Sequence, residues 1–123
     1  MLKLENIVAG YGHITALKDI SLEVPQGSIV SLIGANGAGK STTMKTIMGL
    51  VKPTSGKVLF EGQDITGHKT HQIVHGGISL VPEGRQILQD MSVYENLEMG
   101  AYIRNDKEIE ADIKKVFKRF PIL

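Results

Sequence analysis

The chain has 123 residues, 41% hydrophobic and 22% charged, with a formal net charge of +1. That balance suits a small soluble domain with a real core and implies no nucleic-acid or other polyanionic partner. Cysteine is absent, which excludes disulfides and thiolate metal sites. No apolar run approaches the ~20 residues that span a bilayer, and the start, MLKLENIVAG, has an early glutamate and no signal-peptide shape. The expectation is a cytoplasmic chain with no direct membrane insertion.

Residues 2–12 set Leu2, Leu4, Ile7 and Val8 among polar neighbours and predict a strand ending at a glycine turn. Leu17, Ile20, Leu22 and Val24 follow, near period two from Ile20 on, and Pro25-Gln26-Gly27 makes a turn. Residues 29–34, IVSLIG, are short, apolar and β-branched, the pattern of a strand buried on both faces. Beyond a glycine-rich loop, Met44, Ile47 and Met48 at i, i+3 and i+4 predict one face of a helix ending near Gly49. KPTSG is a turn, and KVLFEGQDIT predicts a hairpin turning at Glu61-Gly62. HKTHQIVHGG predicts a short helix stopped by two glycines, and residues 78–84, ISLVPEG, another buried strand. Ser92 and Glu95 have the spacing of a capping box at the start of a further helix. Ile109, Ile113, Val116, Phe117 and Phe120 share one face of a last helix, with Glu110 and Lys114 paired at i, i+4 and Pro121 ending it. The order is that of an α/β fold.

Gly34-Ala35-Asn36-Gly37-Ala38-Gly39-Lys40-Ser41 matches G-x-x-x-x-G-K-[ST]. Glycines let backbone N–H groups turn toward phosphate oxygens with no side chain in the way. Lys40 reaches the β- and γ-phosphates as a point charge, and the Ser41 hydroxyl ligates Mg²⁺. A helix starting near Lys40 aims its positive dipole end at the same phosphates. A strand before the loop and a helix after it are the context this motif requires, so the loop reads as a holder of a nucleoside triphosphate and its magnesium.

The run GANGAGKSTTMKTIMGLVKPTSGKVLFEGQDI resembles the phosphate loop, helix and hairpin of the ATP-binding subunits of ABC transporters. LVPEGRQILQDMSVYENLEMGAY resembles the branch that serves branched-chain amino acid transport. The resemblance implies a P-loop NTPase core of the ABC ATPase type with an antiparallel β subdomain, binding ATP with Mg²⁺. Tyr11 would stack on adenine, the alternative being packing on the core. Ala16 would line the adenine and ribose edge. Gly34, Asn36, Gly37, Ala38, Gly39, Lys40, Ser41 and Thr42 would hold phosphate, and Ser41 and Glu83 the metal. Glu83 departs from the glutamine usual in the family, yet a carboxylate ligates Mg²⁺ at least as well. Expected partners are a second ATP-binding subunit and transmembrane permease subunits, docked through residues 84–97, at the inner face of the cell membrane.

Residues 1–123 read as the N-terminal part of a single nucleotide-binding domain. The family's L-S-G-G-Q-like signature, the apolar strand ending in Asp-Glu and the histidine beyond it do not occur in the sequence. The expectation is therefore nucleotide binding without a catalytic residue of its own, with residues 29–34 and 78–84 lacking partner strands and carrying open edges or exposed apolar faces. A nucleotide-binding module without turnover is the alternative. His71 and His75 stand at i, i+4 after His68, a spacing that can bind zinc, but without an H-E-x-x-H arrangement a solvated face is the reading. Lys114, Lys115, Lys118 and Arg119 read the same way.

Overall fold

The computed structural model describes residues 1–123. Contacts divide the chain into two compact units, Met1–Leu80 and Val81–Leu123. The first holds strands β1 (Leu2–Tyr11) and β2 (Ile14–Val24), helix α1 (Lys40–Ile47), strands β3 (Ser55–Phe60) and β4 (Gln63–Asp64), and helix α2 (Thr70–His75). The second holds helices α3 (Val93–Gly100) and α4 (Ile109–Arg119).

The four strands form one antiparallel sheet in the order β2-β1-β3-β4. β1 is paired on both edges: Leu4 stands opposite Leu22 of β2 and Val58 of β3. Leu4 and Ile7, three residues apart, are both fully buried, which a strict period of two forbids. Asn6 resolves this by adopting φ 49. It is a bulge that resets the alternation, and the register shifts there against both neighbours. The Asn6 amide Nδ2 donates to Asp19 Oδ1 at 2.8 Å, and its backbone N–H donates to Ser21 Oγ at 2.9 Å. On the β3 side, Gly56 has φ 90, and a Cβ there would stand 2.4 Å from Asn6 O. The bulge therefore requires glycine opposite it.

The core of this unit is Leu4, Ile7, Ala9, Leu17, Ile47, Val51 and Val58. α1 buries Thr42, Thr43, Thr46 and Ile47. Thr43 Oγ1 donates to Gly39 O at 2.9 Å and Thr46 Oγ1 to Thr42 O at 2.8 Å, so these hydroxyls carry no unpaired burial cost. Met44, expected on the buried face with Ile47 and Met48, is exposed, whereas Ile47 and Met48 are inside. Back-bonding lets threonines occupy positions that an apolar pattern assigns to methionine. The hairpin turns at Glu61-Gly62 as expected, with φ 49 and 79, the left-handed pair of a two-residue turn.

The two segments expected as strands are not strands here, while the exposed apolar faces expected from their lack of partner strands are present. Neither residues 29–34 nor residues 78–84 form a ladder, and Ile29, Ile33 and Val81 are 98%, 92% and 91% exposed. A parallel strand is held by neighbours on its edges and helices on its faces. The only sheet these residues build is the antiparallel one, so the segments stay unpaired. Only Ile78 packs, in part, against the core.

In the second unit the capping box is formed. Glu95 N donates to Ser92 Oγ at 3.2 Å, while Glu95 Oε2 accepts from Ser92 N at 2.8 Å and Ser92 Oγ at 2.7 Å. These bonds hold the Glu95 carboxyl below its ordinary pKa. Asn96 bonds four backbone groups: Oδ1 accepts from Leu88 N at 2.9 Å, and Nδ2 donates to Leu88 O, Met91 O and Ser92 O at 3.0, 3.2 and 2.9 Å. Arg104 forks onto Asp106 at 2.8 and 2.7 Å and reaches Asp112 Oδ2 at 2.9 Å. On α4 the Glu110–Lys114 pair is present at 3.3 Å. Of the expected apolar face, Ile113 is buried, Val116 and Phe117 are half-buried, and Phe120 is exposed.

Candidate functional site

α1 begins at Lys40, and its N-cap, Gly39, is left-handed at φ 94 with no side-chain cap and no acidic residue in the first turn. α3 is closed by Ser92 and Glu95, but α1 has no such closure. The first-turn amides of a helix have no partner within it, so α1 presents open donors and the positive end of its dipole toward the loop. Gly39 itself is buried. A Cβ on it would lie 2.7 Å from Leu17 Cδ2 and 3.2 Å from Ala16 O. The loop thus sits directly on β2, with Ala16 beneath Gly39.

Lys40 turns its ammonium back into the loop, donating to Gly34 O at 2.5 Å and Ala35 O at 2.7 Å. Ala38 N donates to Ala35 O at 3.1 Å, and Gly37 takes φ 83. Asn36, Gly37 and Ala38 are exposed at the tip. The ammonium bonds neutral carbonyls here, and ionised phosphate oxygens make the stronger acceptors for it. Ser41 is exposed on the first turn, and Thr42 is buried beside it. A single hard hydroxyl oxygen such as that of Ser41 fits Mg²⁺, which keeps most of its shell as water and phosphate oxygens.

Tyr11 closes β1 and is 47% exposed, and the Lys45 ammonium stands 6.0 Å from its ring centroid. Tyr11, Ala16 and residues 34–42 all belong to the first unit. Glu83 belongs to the second, exposed between half-buried Pro82 and Gly84 and followed by Arg85 and Gln86 at φ 65 and 48. His71 and His75 lie on α2, and no group of three histidine, aspartate or glutamate side chains is placed to hold a metal. No helix is long and apolar enough to cross a membrane.

Sequence reasoning did not find Lys45, the Leu17–Gly39 contact or the Asn96 clasp. Lys45 stands five residues past Lys40, a spacing that places it on the same short helix as the phosphate-loop residues, and that was the available signal. Nothing in the pattern links Leu17 to Gly39.

The sequence pattern of the ABC transporter family matches residues 17–123. The chain belongs to the ABC transporter family. It is 41% identical over its whole length to the high-affinity branched-chain amino acid transport ATP-binding protein BraG of Pseudomonas aeruginosa, covering 53% of that protein. It is 33% identical to the probable branched-chain amino acid transport ATP-binding protein LivF of Archaeoglobus fulgidus, again over the whole chain and 52% of the relative. It is also 38% identical, over 86% of the chain and 44% of the relative, to the lipopolysaccharide export system ATP-binding protein LptB of Haemophilus influenzae. Among solved structures, an ATP-binding subunit of an ABC transporter superposes with a TM-score of 0.82 at 29% identity, covering 98% of this chain and 50% of that one. An ATP-binding cassette of an ABC transporter gives 0.77 at 33% identity, covering 95% and 51%. This ABC chain spans about half the length of the curated relatives it matches, and its α/β architecture with an antiparallel sheet is that of the ABC ATPase cassettes.

Proposed function

We propose that residues 1–123 are the N-terminal part of a single ABC nucleotide-binding domain, and that they bind ATP with Mg²⁺ for a subunit that powers transport. The observation that carries this is the uncapped N-terminus of α1 with the Lys40 ammonium drawn into the loop of residues 34–39. Lys40 exchanges its two carbonyl partners for phosphate oxygens. Amides of residues 37–42 bond the phosphates, the Ser41 hydroxyl holds the metal, and the exposed Tyr11 receives the base. When bound, Mg²⁺ neutralises charge on the β- and γ-phosphate oxygens. Hydrolysis belongs to the longer subunit, paired with a second copy and docked on permease subunits at the inner face of the membrane, because phosphoryl transfer rests on many positioned groups.

The transported substrate in this reading is a branched-chain amino acid. Support comes from the 41% and 33% identities over the full chain and from the PEGR and YENL segments. The lipopolysaccharide-export relative and ribose or galactose importers define the competing substrates, and uptake of leucine against ribose by the assembled transporter separates them.

Titration calorimetry with ATP and Mg²⁺, followed by phosphate release on the same sample, tests the core of the proposal. Lys40→Ala is expected to lower affinity by about 10- to 100-fold, the worth of a hydrogen bond to a charged group. Unchanged affinity in that variant would sink the reading. Binding without phosphate release supports the second reading, a nucleotide-binding module without turnover.

A further inference from the structure

Tyr11 ends β1, where only one edge of the strand is paired: it faces Ile14 across the turn. Its ring is nevertheless approached by Lys45, whose ammonium stands over it at 6.0 Å from the centroid. Lys45 is carried by α1, which is fixed to the sheet through buried Thr43, Thr46 and Ile47. The helix that starts in the phosphate loop therefore also reaches the aromatic ring, and one face of that ring already meets a cation.

We propose that Lys45 is a positioning residue that holds the Tyr11 ring by a cation–π contact, leaves the opposite face for the base, and so ties the base platform to the phosphate-binding helix. This rests on the reading of Tyr11 as that platform. A cation over one face draws on the ring quadrupole and restricts the ring before the ligand arrives, so less freedom is lost on binding. No acidic side chain is ion-paired to Lys45, which leaves its ammonium available to the ring.

The test is a double-mutant cycle in the intact protein, with ATP–Mg²⁺ and inorganic pyrophosphate–Mg²⁺ as probes. Lys45→Met keeps the stem and removes the charge, and is expected to weaken ATP by about two- to fivefold. Lys45→Arg restores the affinity, because guanidinium also stacks on aromatic faces. In a Tyr11→Ala background Lys45→Met has no further effect on ATP, and in either background pyrophosphate affinity is unchanged. Equal losses for ATP and pyrophosphate would make Lys45 a plain phosphate-attracting charge and overturn the proposal. So would an undiminished loss in the Tyr11→Ala background. If Tyr11→Ala alone costs no ATP affinity, the platform reading itself fails and the positioning role falls with it. A second measurement is independent of any ligand: the ring-proton resonances of Tyr11 shift in Lys45→Met and stay near wild type in Lys45→Arg, and an unmoved resonance in Lys45→Met overturns the contact.

Discussion

Gly39 and Leu17 touch so closely that a single added carbon on Gly39 would lie 2.7 Å from Leu17 Cδ2. Leu17 is 2% exposed and belongs to the core, so it has nowhere to retreat. Gly39→Ala meets this overlap and a left-handed φ of 94, and is expected to destabilise the fold by about 1–3 kcal/mol or more. Chemical denaturation measures it. Leu17→Ala alone leaves a cavity and costs about 2–5 kcal/mol. In the double variant the new methyl fills part of that cavity, so the combined loss falls short of the sum. Strict additivity would show that the two residues are not in contact.

Tyr11→Ala is expected to weaken ATP binding by about 1–3 kcal/mol, the usual worth of a base stacked on an aromatic ring, while pyrophosphate affinity holds. Calorimetry with both ligands checks this. Equal losses would count against stacking at Tyr11.

Asn96→Ala removes the clasp that ties Leu88, Met91 and Ser92 to the start of α3. Each hydrogen bond contributes about 0.5–1.5 kcal/mol net, and their loss frees a turn rather than the whole chain. The expected result is faster hydrogen exchange at the Leu88 amide with α4 unaffected. Asn96→Asp keeps the acceptor for Leu88 N but sets a carboxylate against three carbonyls, so it should disturb the turn at least as much at neutral pH. Unchanged exchange at Leu88 in both variants would remove the clasp.

The Arg104 guanidinium, followed by the Glu108 amide, holds the Asp106 carboxyl at about 2, below its ordinary 3.8. A depressed carboxylate contributes stability that is fully present above the unfolded value and lost as pH falls through the folded one. The start of α4 should therefore loosen between about pH 4 and pH 2. Hydrogen exchange of the α4 amides in wild type and Asp106→Asn checks it: the variant is less protected above pH 4, and the two converge near pH 2. A wild type that shows no loss in that interval would contradict the pairing.

Local features were legible in the sequence. The Glu61-Gly62 turn, the Ser92–Glu95 box and the Glu110–Lys114 pair each depend on residues within four positions of one another, and each is present. What sequence could not show depends on distant partners. The exposure of Ile29, Ile33 and Val81 is the exception: it follows from the missing partner strands, since burial is a property of neighbours and not of composition. Asn6 hid a bulge, because its left-handed φ is stabilised by Asp19 and Ser21 from the next strand. In the candidate site, residues 34–41 were readable as a motif because the chemistry sits in one continuous segment. Leu17 was not, since it reaches the loop from β2, and Lys45, though on the same helix as Lys40, was not because its partner Tyr11 lies on β1.

The order β2-β1-β3-β4 has a thermodynamic consequence. β2 and β3 flank the same central strand, and the segment joining them contains the whole glycine loop and α1. A ligand seated there grips the one connection whose two ends the sheet must hold on either side of β1. Nucleotide affinity and sheet stability are then a single linked equilibrium: ligand at about 100 times its Kd adds about 2.7 kcal/mol against unfolding. The melting temperature of the sheet becomes a gauge of how full the site is.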